Sequence, residues 1–91
     1  MEEKFLAELE VRREAAAKAG VRIRPVPEMK QAHRLLIGSR TSDGFDDLAR
    51  LGQLKLSLEA LTVDKRFTGL FSDEEANTAL ERLLFAGYTF K

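Results

Sequence analysis

The sequence predicts an all-α fold, a small four-helix domain packed around a central helix over residues 45–63. That segment places apolar residues on two roughly opposite faces at helical spacing. Segments 2–19 and 72–86 are rich in strong helix formers, and a glycine follows each of them, as is common after a helix end. A helix that is apolar on two sides needs neighbours on both sides. We therefore expect the other segments to pack around it, with residues 1–91 forming one domain.

The first predicted helix covers residues 2–19. Two glutamates lie in its first turn and Lys18 in its last, which complements the helix dipole, and Gly20 suits the left-handed residue after its end. Its apolar face is narrow, which is typical of a helix at the edge of a domain. That face consists of Phe5, Leu9 and Ala16. We expect the first two turns to dock and the alanine-rich end to project.

Residues 21–28 are expected to form an extended linker. Apolar and basic side chains alternate over 21–24 as in a strand, but Pro25 and Pro27 prevent regular pairing beyond them. A minor two-stranded β pairing between 21–24 and 88–90 is kept as an alternative. A short second helix then ends before Gly38. Its apolar face consists of Met29, Ala32, Leu36 and Ile37.

The central helix carries two apolar stripes. Gly52 lies in its interior, where a glycine costs about 1 kcal/mol relative to alanine, so we expect another helix to cross closely there. The other stripe, on the side of the helix opposite Gly52, has coiled-coil spacing over only two heptads, so it fits either the core of this chain or an interface. This leucine stripe consists of Leu51, Leu54, Leu58 and Leu61.

The clearest local motif begins at Ser72. Ser72 and Glu75 match the S-x-x-E capping box, in which each side chain binds the other residue's backbone N–H. The last helix therefore starts there, and Gly87 ends it. Between the central and last helices, residues 64–71 break the helical period, and Phe67 and Phe71 are expected to plug the core.

Composition argues against several classes of protein. There are 15 basic and 15 acidic residues and no cysteine, so there is no net field and no thiolate chemistry. His33 is the only histidine, and Asp43, Asp46 and Asp47 fit helix capping better than a calcium loop. We expect no enzyme, no catalytic residue, no cofactor and no metal. The N-terminal residues lack a signal-peptide pattern and no apolar run is long enough to span a membrane, so we expect a cytoplasmic protein.

The leading functional hypothesis is a non-enzymatic protein-protein interaction module, an adaptor, subunit or regulator. It would bind a partner protein, or a second copy of itself as a homodimer, through the leucine stripe and the exposed parts of the first two helices. The hypothesis rests on a central helix that needs neighbours on two sides, while the first two helices have narrow apolar faces.

The alternative is a nucleic-acid-binding accessory protein. Residues 12–40 hold eight basic residues against two acidic ones, and such a segment can follow a phosphate backbone. The same charges also fit a solvated surface that pairs with the acidic flanks, because no helix-turn-helix pattern and no interleaved aromatics accompany them. The basic residues are Arg12, Arg13, Lys18, Arg22, Arg24, Lys30, Arg34 and Arg40.

Overall fold

A computed structural model of the chain describes residues 1–38 and 40–88. Within these ranges the chain is mostly helical and contains no strand, and it measures 29 × 26 × 25 Å along its principal axes. The α-helices are α1 (Glu2–Lys18), α2 (Met29–Ile37), α3 (Phe45–Arg50), α4 (Leu58–Thr62) and α5 (Asp73–Phe85). Two 3₁₀ segments, Leu54–Leu56 and Lys65–Leu70, precede and follow α4.

Helix α1 forms as predicted, and its three predicted apolar residues are buried. Its alanine-rich end does not project from the body. Ala16 is fully buried with Val21 and Phe45, and the Val21 N–H donates to the Ala16 carbonyl at 2.9 Å. The chain therefore folds back on α1 as soon as the helix ends, and this return buries Ala16, whereas Ala17 and Ala19 stay exposed.

The predicted continuous helix over 45–63 is wrong in its middle, where the chain forms α3, a 3₁₀ turn and α4 instead. Gly52 is left-handed with φ +69°, and the next N–H, of Gln53, donates to the Leu48 carbonyl at 2.8 Å. This is the closing bond of a helix C-terminus. Ser57 then caps α4 by accepting from the Ala60 N–H at 3.1 Å. The position of a Cβ on Gly52 has no atom within 4 Å, so the close helix crossing expected there is also absent.

The hydrophobic core has two clusters. In the first, the Phe5 ring meets Phe67 and Phe71 edge-on, with centroids 5.3 and 5.1 Å apart, so the predicted aromatic plug is confirmed. The second joins the end of α1 and the linker to α3 and the C-terminal half of α5. Its buried members are Ala16, Val21, Phe45, Leu48, Leu54 and Leu83.

Helix α5 begins and ends as predicted. The capping box of Ser72 and Glu75 is complete, with both side chains bound to backbone N–H groups. Gly87 is left-handed, and the Tyr88 N–H donates to the Leu83 carbonyl at 2.9 Å. The β pairing considered between 21–24 and 88–90 falls partly on residues 89 and 90, which lie outside the described residues.

The linker is held against the start of α3. Gly44 has φ +77°, and a Cβ there would lie 2.8 Å from the Ile23 side chain and 3.0 Å from that of Val21. Asp43 accepts the Arg24 N–H at 2.8 Å, instead of capping α3 as the sequence suggested. Glycine, which has no Cβ and tolerates this positive φ, suits this close approach of the linker to α3.

Candidate functional site

A groove lies between α1, the linker and α2, with a volume of about 600 Å³. Loop residues 40–43 and the segment from Leu56 to Leu58 complete its wall. We call this feature the α1–α2 groove. Its floor is aliphatic and consists of Leu9, Ile23, Val26, Leu35, Leu56 and Leu58.

Other residues of the chain cover only part of the floor. Leu9 and Leu58 are buried core residues, whereas Ile23, Val26, Leu35 and Leu56 pack against the core and stay partly accessible. A concave surface with an apolar floor and a few polar groups at its edge is the usual form of a binding site.

The rim of the groove is charged. It consists of Glu10, Arg13, Arg24, Arg34, Arg40 and Asp43. Arg13 forms an ion pair with Glu10 and also donates to the Ile23 carbonyl at 3.5 Å. The hydrogen bond from Arg13 holds the pKa of Glu10 below its ordinary value. This pair therefore belongs to the wall of the groove.

Three rim arginines differ from Arg13. The side chains of Arg24, Arg34 and Arg40 are exposed and form no ion pair or hydrogen bond with any described part of the chain. Asp43, which also lies at the rim, accepts the Arg24 backbone N–H. The edge of the groove thus carries three positive charges that the fold itself does not use.

Behind the groove lies a buried polar cluster of Ser42, Glu59 and Arg82, which we call the polar clasp. Glu59 is fully buried and accepts three hydrogen bonds, from the Ser42 N–H at 2.9 Å, the Ser42 hydroxyl at 2.5 Å and Arg82 at 3.1 Å. A buried carboxylate requires such partners, because its desolvation is otherwise very costly.

Arg82 also closes the C-terminus of α2. Its guanidinium donates to the carbonyls of Leu35 at 3.2 Å, Leu36 at 3.4 Å and Gly38 at 2.8 Å. The last carbonyls of a helix lack partners within the helix, and a cation there also complements the helix dipole. The polar clasp therefore holds α2, α4, α5 and the loop at Ser42 together, and α2 is one wall of the groove.

His33 lies on the opposite side of α2 from the groove lining. Its Nδ1 is 2.5 Å from a carboxylate oxygen of Glu75, and its ring packs 5.3 Å from that of Phe71. Burial raises the pKa of Glu75, but the hydrogen bonds from the Ser72 N–H and from His33 outweigh it and hold that pKa below its ordinary value. The Ser72 hydroxyl accepts the Glu75 N–H, as the capping box requires. These contacts join α2 to α5.

The leucine stripe is mostly inside the protein. Leu54, Leu58 and Leu61 are at most 5% exposed, whereas Leu51 is 51% exposed. Because the helix breaks at Gly52, Leu51 is separated from the other three and does not share a face with them. The stripe therefore supplies the core of this chain in the structure, and it presents no continuous surface to a partner.

The basic residues are not gathered on one surface. Arg12 pairs with Glu8 at 3.4 Å and donates to the Lys55 carbonyl. Four of the eight line the groove, namely Arg13, Arg24, Arg34 and Arg40. Lys18, Arg22 and Lys30 are exposed and do not line it.

Sequence reasoning missed the polar clasp and the Glu75 partner of His33. Glu59 is 17 positions from Ser42 and 23 from Arg82, and His33 is 42 positions from Glu75. No local spacing links such pairs. Local signals did exist for the break in the central segment, since a glycine at 52 and a serine at 57 suit a helix end and a helix start.

No group of histidine, cysteine, aspartate or glutamate within the described ranges is arranged to hold a metal ion. None of the helices in residues 1–38 and 40–88 combines the length and the apolar character needed to cross a membrane. Comparisons with protein-family models, with curated proteins and with solved structures gave no match.

Proposed function

We propose that this chain is a non-enzymatic protein-interaction module that binds a partner protein through the α1–α2 groove. The observation that carries the proposal is the floor of the groove, where four aliphatic side chains stay partly accessible inside a charged rim. Aliphatic side chains of a partner would replace water on this floor, and the rim would orient them. The proposal keeps the single domain and the cytoplasmic setting expected from the sequence.

The groove takes the role that the sequence hypothesis gave to the leucine stripe. Both surfaces are apolar and share the buried Leu58, but four of the six floor residues stay partly accessible, whereas three of the four leucines are buried. A partner can therefore reach the groove without opening the core of this protein. A second copy of the chain is one such partner.

Nucleic-acid binding is the second candidate, because six of the predicted basic residues are exposed and unpaired with described residues. These are Lys18, Arg22, Arg24, Lys30, Arg34 and Arg40. An aliphatic floor offers nothing to a phosphate backbone, and only three of the six lie at the groove. The structure thus favours a protein partner over a nucleic acid.

The test is selection of groove-binding peptides from a random library displayed on phage, followed by NMR titration of labelled protein with the selected peptides. We expect enriched peptides whose titration shifts the amide resonances of Leu9, Val26 and Leu35. We also expect Gln31→Trp to block binding, because Gln31 is an exposed residue of the groove wall and the indole would fill the space.

The matched control is Leu84→Trp, which adds the same bulk at an exposed position of α5 away from the groove. It should leave binding unchanged. The proposal fails if no peptide is enriched, or if the selected peptides shift residues of α5 around Leu84 and Phe85 instead. Sedimentation of the free protein over a range of concentrations tests self-association, and groove-dependent dimers would identify the second copy as the partner.

A further inference from the structure

We infer that the segment received by the α1–α2 groove is an acidic amphipathic helix, whose carboxylates pair with Arg24, Arg34 and Arg40. This inference rests on the proposed function and names the chemistry of the partner. It combines the accessible aliphatic floor with three rim arginines that have no partner among the described residues.

The net charge of the rim indicates which charge the partner should carry. Four arginines and two carboxylates line the groove, a net charge of 4 − 2 = +2; Glu10 is paired with Arg13, and Asp43 accepts the Arg24 N–H and keeps its negative charge. A partner with basic residues beside its apolar side chains would face unpaired like charges. Acidic residues at the same positions would form ion pairs and speed association.

The linker argues against an extended partner strand. Strand addition needs backbone N–H groups at alternate positions along one edge. Of the linker residues that line the groove, Pro25 has no N–H and Arg24 already donates its own to Asp43. The remaining two, Ile23 and Val26, are three positions apart, so their backbone N–H groups would not face the same edge of a regular strand.

Recognition in this groove must therefore go through side chains. A helix satisfies its own backbone and presents aliphatic residues at i, i+3, i+4 and i+7 on one face. Its flanking positions can then place glutamates over the arginines of the rim. Arg34 lies on α2 and Arg40 in the loop after it, so the two charges follow one edge of the groove.

The experiment measures binding of three fluorescent probes to the full chain by anisotropy, at about 50 and about 500 mM salt, which spans weak to strong screening. The first probe is a peptide of about 18 residues with leucines on one helical face and glutamates beside them. The second replaces every glutamate with lysine and keeps the leucines. The third is a duplex oligonucleotide.

We expect the glutamate peptide to bind and the lysine peptide to bind at least about tenfold more weakly, with the difference shrinking at high salt. Arg34→Glu with Arg40→Glu should lower affinity for the glutamate peptide by about tenfold or more. The matched control, Arg22→Glu with Lys30→Glu, makes the same change in net charge at exposed sites outside the groove, and it should lower affinity less than about threefold.

Other outcomes overturn the inference in distinguishable ways. Equal binding of the glutamate and lysine peptides, blocked by Gln31→Trp, would remove the acidic partner and leave the protein-interaction groove intact. Loss of binding in both double variants alike would show a general field effect rather than pairing at the rim. Binding of the oligonucleotide with neither peptide bound would overturn the inference and the proposed function together.

Discussion

Arg82 and Arg34 differ in how many contacts they make within the fold. Arg82 is nearly buried and donates to Glu59 and to three carbonyls at the end of α2. Arg34 lies on α2 itself, is exposed, and forms no ion pair with the described chain. Arg82 therefore serves the architecture, whereas Arg34 and its neighbour Arg40 remain available to another molecule.

The same contrast separates the polar clasp from the rim of the groove. A buried charge contributes strongly only when its partners are in place, because removing one of them leaves the other uncompensated. An exposed charge costs little to keep and contributes little to stability. Substitutions in the clasp should therefore change folding, and substitutions of the rim residues Arg24, Arg34 and Arg40 should change binding alone.

The largest effect is expected at Glu59. Glu59→Ala should lower the free energy of unfolding by about 3 to 5 kcal/mol, because it leaves the nearly buried Arg82 without its carboxylate. Urea denaturation followed by circular dichroism measures the change. Glu81→Ala is the control, since Glu81 is an exposed neighbour of Arg82 on the same helix, and it should shift stability by less than about 0.5 kcal/mol. Equal effects of the two substitutions would contradict a structural role for the clasp.

A smaller effect is expected at Glu75. This residue is buried, as the polar clasp is, but it pairs with His33, which is partly exposed. Its pKa in the folded chain is below the ordinary value of 4.5. Such a carboxyl stabilises the fold at pH values above its unfolded pKa, and this stabilisation is lost as the pH falls through the folded value. Between about pH 6 and about pH 3 the wild-type protein should therefore lose more stability than Glu75→Gln.

Denaturant titrations at several pH values measure this difference. Glu10→Gln is the comparison. The pKa of Glu10 is also below its ordinary value, but the cause there is a hydrogen bond from Arg13 at an exposed site, where solvent screens the pair. We expect its curve to follow that of the wild type closely. If the wild type and Glu75→Gln lose the same free energy of unfolding at low pH, the contacts of Glu75 with Ser72 and His33 do not depend on its charge.

The smallest effect on stability is expected at the rim. Arg34→Glu with Arg40→Glu should change the free energy of unfolding by less than about 0.5 kcal/mol, since neither side chain has a partner in the described chain. Thermal unfolding of the double variant checks this. A clear loss of stability would show that the two arginines stabilise the fold, as Arg82 does, and that they are not reserved for binding.

Helix α5 shows how far sequence reasoning reaches. Ser72 and Glu75 are three positions apart, and Gly87 closes the helix through a bond from the next residue, Tyr88, to Leu83. Each of these contacts lies within about one turn of helix, so residue type and spacing are enough to predict it. The narrow apolar face of α1 was predicted on the same basis.

The central segment shows where periodicity misleads. Leucines at helical spacing favoured one long helix, but Gly52 and Ser57 divide the segment into α3, a 3₁₀ turn and α4. Three of the leucines are nevertheless buried, because short elements joined by tight turns can direct apolar residues to the same core. The spacing of the leucines fitted either the core or an interface, and it did not indicate the path of the backbone.

The sequence by itself determined the helical class, the ends of α1 and α5 and the aromatic plug at Phe67 and Phe71. These depend on hydrogen bonds and apolar contacts that local residue types specify. Only the tertiary structure decided which charges are used by the fold and which remain free. Glu59 meets Ser42 and Arg82 because packing brings three distant segments together, and the same packing leaves Arg34 and Arg40 at the edge of an apolar groove.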